Sequence, residues 1–244
     1  ALRTACFGGA PVAPAFLEET ARRLPHVTLI NVWGLTEATS IVTCAAGSQW
    51  RKRPWSVGRA VPGVEVAVAV DGRIADAPDA VGELWVRGPV VTAGYWNRPE
   101  ATADTFGADG WLRTGDVGRA DADGYVQVLD RMKDMIIRGG ENIYSLEVES
   151  VLARHPAIAE VAVVGVPDPV MGERVRAVAV LGPGQSLALG ALREWASTQL
   201  ADYKLPAELV TVAALPRNAN GKIIKKQLAG ELAVPRPPSA SARP

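Results

Sequence analysis

Val64, Val66, Val68 and Val70 alternate with Glu65, Ala67 and Ala69, and the run ends at Asp71-Gly72. A period of two puts the valines on one face of a strand, and Asp-Gly is a favoured two-residue hairpin turn. A chain with this stretch in it needs antiparallel sheet there. "GELWVRG" (82–88) and "GYVQVLD" (124–130) read as further strands of the same region, and residues 98–106 as a short helix.

The flanking segments carry other periods. Leu2–Phe7 reads as a strand, followed by a turn at Gly8-Gly9-Ala10-Pro11. Pro14 suits the first turn of a helix to about Leu24, with Phe16, Leu17, Thr20, Ala21 and Leu24 at helical spacing. His26–Val32 is the next strand, and the strand–helix–strand order suggests a parallel unit. After Arg131, Met135–Ile137 reads as a strand ending at Gly139-Gly140. Ser145 is a candidate cap for a helix, "LEVESVLARHP", which Pro156 ends. "AEVAVVGVP" and "RVRAVAVLG" follow as strands, then a helix over Leu189–Leu200, a strand near Leu209–Ala213 and a last helix in "IIKKQLAGEL". The proline- and serine-rich tail "AVPRPPSASARP" has too little apolar content to pack and is expected to be disordered. The expected organisation is a mixed-sheet region over 1–130, a small α+β domain over 131–233 and a tail over 234–244.

The 26 basic and 26 acidic residues balance, so no net field points to nucleic acid. No apolar run reaches the roughly 20 residues of a membrane-spanning helix. Cys6 and Cys44 have no metal-binding spacing and suggest a reduced, cytoplasmic setting. The opening "ALRTACFGGAP" is neither a signal peptide nor a start with methionine, and the chain reads as cut there.

Four stretches carry chemistry. In "NVWGLTEATS" (31–40), glycine after Trp33 admits close approach of a ligand or of neighbouring backbone. Trp33 offers a planar face, Thr36 a hydroxyl for a phosphate oxygen and Glu37 a carboxylate suited to Mg²⁺. The same letters read as a helix start, with Thr36 as cap and Glu37 in the first turn. In "WLRTGDVG" (111–118), Asp116 is either an acceptor for two ribose hydroxyls or a surface turn. "DRMKDMIIRGGENIYSLEVE" (130–149) is a charged turn between strands or a hinge, with Arg131 offering a planar donor fork. In "LPRNANGKIIKKQL" (215–228), Asn220-Gly221 marks a turn and Lys222 falls beside a helix start, where the dipole disfavours a cation. That conflict favours an anionic partner for Lys222, whereas Lys225 and Lys226 read as a solvated helix face.

In their order and wording these stretches resemble the adenylate-forming superfamily: AMP-forming acyl- and aryl-CoA synthetases, luciferases and nonribosomal-peptide adenylation domains. The matching text is "GGAP", "NVWGLTEATS", "VGRAVPG", "GELWVRGPVVTAGYWNRPEATADTF", "DGWLRTGDVGRADADGYVQVLDRMKDMIIRGGENIYSLEVE" and "LPRNANGKIIKKQL", about residues 3–230. "GGENIYSLEVE" and "YKLP" look most like acid–CoA ligases of the fatty-acyl or aryl type.

The resemblance implies an α/β and α+β fold. It comprises the C-terminal part of a large adenylation domain, with a mixed sheet and distorted β-barrel region, and a small mobile α+β lid domain. It implies a ligase that activates a carboxylic acid with ATP to an acyl-adenylate and then forms the CoA thioester, with ATP, Mg²⁺ and CoA all required. Gly9, Ala10 and Pro11 would lie beside adenine, Asn31 near its amino edge and Trp33 against its face. Thr36 would contact the α-phosphate, Glu37 would ligate Mg²⁺, and Asp116 would hold the ribose with Arg131 assisting. Lys222 would act on the substrate carboxylate and phosphate, Lys133 would be the hinge, and Gly139-Gly140 would line the CoA tunnel. Two departures stand out. Trp33 replaces the family's usual tyrosine, and the "SGTTGxPKG"-type phosphate loop does not occur in the sequence. The chain is therefore expected to be roughly the C-terminal half of such an enzyme, with little activity alone. A ligase serving a separate carrier protein and a non-catalytic nucleotide-binding fragment are the alternatives. The acid and the oligomeric state are not legible.

Overall fold

Val66, Val68 and Val70 of the alternating valines lie in strand β5 of the first of two units into which the chain divides, Ala1–Lys133 and Asp134–Pro244. The computed structural model describes residues 1–9, 12, 14–219 and 221–230; the expected tail, 234–244, lies outside them, as do Ala10 and Pro11. The first unit runs β1 (Thr4–Phe7), α1 (Pro14–Arg23), β2 (Thr28–Leu35), β3 (Ser40–Ala46), α2 (Ser48–Lys52), β4 (Arg59–Ala60), β5 (Glu65–Val70), β6 (Arg73–Ile74), β7 (Gly82–Arg87), α3 (Pro99–Thr105), β8 (Leu112–Ala120) and β9 (Val126–Arg131).

These strands make two sheets. The first has the order β1-β2-β3-β4, with β1 parallel to β2 as the strand–helix–strand pattern requires, and β3 antiparallel to β2. Leu17 of α1 and Trp50 of α2 cover one face of it, packing with Leu29 and Ala45. The second sheet, order β6-β5-β7-β8-β9, is wholly antiparallel and open; no closed barrel forms among the described residues. Asp71 and Gly72 both take positive φ, 50° and 73°, which is what a tight β5–β6 turn demands. Trp33 and Val42 from the first sheet share a core with Val68, Leu84, Leu112 and Val126 from the second.

The second unit runs β10 (Ile136–Arg138), β11 (Glu141–Ile143), α4 (Ser145–Leu152), β12 (Ile158–Asp168), β13 (Gly172–Leu181), α5 (Leu189–Ser197), β14 (Glu208–Thr211) and α6 (Lys225–Ala229). Its sheet has the order β11-β10-β13-β12, with β14 parallel to β13. Val163, Val175 and Ala177 pack with Val148 and Leu152 of α4 and Leu192 of α5. The intervening residues Ala162, Val164 and Val178 pack with Leu228 of α6. Both faces are covered, which explains why β12 and β13 read as nearly unbroken apolar runs.

Two local expectations fail here. Ser145 is the first residue of α4 rather than its cap, Tyr144 holds the cap position, and the helix ends at Leu152, before Pro156. Lys225 is partly buried rather than on a solvated face: its Nζ lies 2.6 Å from the Ser145 hydroxyl and 2.7 Å from Glu149 Oε1. The helix that carries Lys225 presents Leu228 to the sheet, and this turns the lysine toward α4 rather than to water. Leu152 is fully enclosed whereas Val170 is 85% exposed. Leu152→Ala is expected to lower stability by about 2–5 kcal/mol, and Val170→Ala to change it by less than about 0.5 kcal/mol. Urea unfolding followed by circular dichroism distinguishes the two.

Candidate active site

Asn31, Trp33 and Leu29 occupy alternate, inward-facing positions of β2, whose burial alternates along its length. The strand does not stop at Val32 but continues to Leu35, and a three-residue 3-10 turn, Thr36–Ala38, leads straight into β3. The helix start is therefore corrected: Leu35 holds the cap position and no side chain caps the turn. Ile41, Val42 and Thr43 after the turn are β-branched, and Thr39 and Ser40 take φ of 51° and 119°, so the chain reverses instead of coiling. Gly34 faces backbone, not a ligand. A Cβ there would lie 1.5 Å from the Ser40 carbonyl oxygen.

Glu37 sits on this turn and is held by a residue to which the sequence assigned no role. The Tyr95 hydroxyl donates to Glu37 Oε1 at 2.6 Å. Burial, and after it the Glu37 carboxylate, raise the Tyr95 hydroxyl above the usual tyrosine range, so it stays a donor at neutral pH. The Tyr95 ring packs edge-on against Phe106, and its N–H donates to the Thr102 hydroxyl. Two further bonds strap the turn to the same segment: Thr92 N–H to the Glu37 carbonyl, 2.8 Å, and the Thr39 hydroxyl to the Val90 carbonyl, 2.7 Å. Tyr95 lies within "AGYWNRPE", so its position in a motif was its only sequence signal.

Asp116 is not on a surface turn. It lies within β8, 2% exposed, directly across from Arg131 of β9. Between the pairs Glu83–Val117 and Trp85–Arg113 the register shifts, and Gly115 takes φ 68° at that bulge. The Gly115 N–H donates to Glu83 Oε1 and the Thr114 hydroxyl to the Leu84 carbonyl, so the bulge is pinned on both sides. Beyond it, the Asp116 carboxylate takes two strong partners. Arg131 Nε lies 2.6 Å from Oδ1, and the Trp33 indole Nε1–H donates to Oδ2 at 2.8 Å. The site thus joins β2 of one sheet to β8 and β9 of the other.

The remaining candidates are dispersed. Asn31 is buried and donates through Nδ2 to the Ser56 carbonyl at 3.2 Å. Gly9 takes φ 79° with open space where a Cβ would be; Ala10 and Pro11 lie outside the described residues. Lys133 is exposed in a 3-10 turn, Met132–Asp134, and ends the first unit. Gly139 and Gly140, with φ of 59° and 88°, form the turn of the β10–β11 hairpin, and a Cβ on Gly139 would meet Met171 Cε at 2.5 Å. Lys222 is exposed, and its backbone is fixed on both sides by Asn218, whose Oδ1 accepts its N–H and whose N–H donates to its carbonyl. No helix among the described residues is long and apolar enough to cross a membrane.

Known sequences and structures resemble this chain over most of its length. Residues 1–96 match the profile of the AMP-binding enzyme family, and residues 147–222 match the AMP-binding enzyme C-terminal domain. The chain belongs to this family, the adenylate-forming enzymes. It is 43% identical over 230 residues to a methyl-dioxo-octahydroindenyl-propanoyl:CoA ligase from Rhodococcus jostii, covering 94% of this chain and 43% of that protein. It is 40% identical to the fatty acid–acyl-carrier-protein ligase ScoC of Streptomyces coeruleorubidus, covering 93% of this chain and 44% of that protein. Among solved structures it resembles o-succinylbenzoate CoA synthetase from Bacillus subtilis in complex with its acyl-adenylate intermediate. There the TM-score is 0.86 at 37% identity, over 94% of this chain and 47% of that one. The same synthetase has been solved with ATP and magnesium ion, at TM-score 0.84 and 38% identity, over 93% of this chain and 46% of that one. The chain spans less than half the length of the relatives it matches.

The steric role of Gly34 is open to test. Gly34→Ala is expected to cost about 3 kcal/mol or more, as overlap with backbone cannot be relieved by a rotamer change. The midpoint of chemical unfolding reports it, and a change below about 0.5 kcal/mol contradicts the assignment.

Proposed function

We propose that the enzyme to which this chain belongs activates a fatty or aryl carboxylic acid with ATP, giving an acyl-adenylate and pyrophosphate. The thiol of CoA then displaces AMP to form the thioester. The observation that carries this reading is the buried Asp116 carboxylate, held between Trp33 and Arg131 at a strand bulge in a chain of the AMP-binding family.

In this reading Asp116 accepts hydrogen bonds from the ribose hydroxyls, with Arg131 assisting. Asn31, held by Ser56, faces the amino edge of adenine, and Gly9, Ala10 and Pro11 flank the base. Thr36 donates to the α-phosphate. Lys222 stabilises the negative charge that develops as pyrophosphate leaves, which is often the largest catalytic contribution. Lys133 is the hinge between half-reactions, and the Gly139-Gly140 turn lines the CoA tunnel. Two steps of unlike chemistry then share one site in sequence.

The donor set also suits Mg²⁺. Magnesium is usually held by one or two carboxylates together with substrate phosphates, not by a cage of protein ligands. Glu37 supplies one such carboxylate, oriented by Tyr95, and no cluster of three or more candidate ligands exists among the described residues. Bound there, the ion would neutralise phosphate charge. Cys6 and Cys44 are free thiols, which suits the reducing cytoplasm that this reading implies.

Kinship to ScoC supports a second reading for the acceptor alone, in which the acyl group passes to a carrier protein. Comparing CoA with a phosphopantetheinylated carrier as acceptor decides between them. The adenylation reading is tested in the enzyme bearing this chain. Lys222→Ala is expected to slow acyl-adenylate formation by about 100-fold or more, measured as ATP–pyrophosphate exchange, while thioester formation from supplied acyl-adenylate falls far less. Equal loss in both steps contradicts the role given to Lys222.

A further inference from the structure

Trp33 presents two features that a base-stacking residue does not need. It is only 8% exposed, packed among Ala38, Val42, Val64, Leu112 and Val126, and its one polar atom is spent on Asp116. A buried indole N–H requires an acceptor, and a carboxylate is the strongest available. The bond therefore serves both partners.

Its effect on Asp116 follows from the contrast with Arg131. The guanidinium reaches Oδ1 from a side chain that is 44% exposed, on a long stem with freedom to move. The indole reaches Oδ2 from a ring enclosed by the core of both sheets, so its position cannot drift without disturbing that core. Donors at both oxygens fix the rotation of the carboxylate about its own axis. A carboxylate accepts about four hydrogen bonds in all, and the direction of those offered to a ligand is set once this plane is fixed. Two adjacent hydroxyls demand a defined plane, because both oxygens must meet both hydroxyls at once.

We propose that Trp33 is a positioning residue for sugar recognition: its indole N–H sets the plane of the Asp116 carboxylate so that both oxygens can accept the vicinal cis-diol of a ribonucleotide. This rests on the reading of Asp116 as the ribose acceptor. A phenylalanine would fill the core but remove the buried indole donor from Oδ2, and with it the contact that ties the carboxylate plane to the rigid core. The selectivity for ribose over deoxyribose then depends on position 33, which itself need not touch the sugar.

The test compares ATP with 2′-deoxy-ATP and 3′-deoxy-ATP in the enzyme bearing this chain. A site built to bond a hydroxyl rejects analogues that lack it. Asp116→Ala, Trp33→Phe and Trp33→benzothienylalanine are measured in parallel. The last keeps the shape of the ring and replaces N–H by sulfur, so it separates the bond from the packing. The expected result is a KM for ATP raised about tenfold by the isostere, with kcat changed little, and a preference for ATP over both deoxy analogues that falls toward one. Loss of that preference in Asp116→Ala but its full retention in the isostere overturns the role of Trp33 and leaves the ribose reading standing. Full retention in Asp116→Ala, or no preference in the unaltered enzyme, overturns both.

Discussion

A carboxylate removed from water must be compensated; Asp130 is one such group in the first unit, and Asp116, equally buried, is the one bonded from both sheets. Its partners come from different places: Arg131 from the neighbouring strand β9, Trp33 from β2 of the other sheet. The bond from Trp33 therefore does more than satisfy a charge. It fixes how β2 lies against β8, and with it the turn Thr36–Ala38 that β2 carries at its end. That turn is strapped independently by Thr92, Thr39 and Tyr95 to the segment before α3. Charge compensation and sheet packing thus share the Asp116 contacts, and the straps from Thr92, Thr39 and Tyr95 complete the placement of Glu37.

The second unit solves its own packing problem by different means. Its sheet is covered on both faces, so its strands need not alternate, and its helices are tied by a partly buried lysine, Lys225, reaching Ser145 and Glu149. Glu149 Oε1 also accepts the Val163 N–H, which anchors α4 to β12. Lys222, three residues before Lys225, has no such engagement among the described residues and is exposed. The structural lysine and the proposed catalytic one are thus distinguished by their surroundings, although both sit in the same run of "GKIIKK".

Period and punctuation made most of the elements legible. The alternating valines, Asp71-Gly72 and the parallel strand–helix–strand opening depend on residues close in sequence, and each forms where the pattern puts it. The candidate residues could be named from the sequence, but their contacts could not. Trp33 and Asp116 lie 83 positions apart, and nothing local in "NVWG" or "TGD" announces that one donates to the other. "TGD" resembles a surface turn because glycine and aspartate do favour turns; here the same glycine makes a bulge inside a strand. The helix read after Thr36 fails because a threonine and a glutamate do not make a helix start when β-branched residues follow. Tyr95 was missed for the same reason as the Trp33 bond: its partner, Glu37, is remote in sequence.

The proposed role of the first unit turns on what Asp116 binds. The most direct measurement is a crystal structure of the enzyme bearing this chain with an acyl-adenylate in place. Both ribose hydroxyls are expected within about 3.2 Å of the Asp116 oxygens, with the Trp33 indole still donating to Oδ2. A ribose held by another carboxylate, with Asp116 enclosed by its sheet and remote from the nucleotide, contradicts that role.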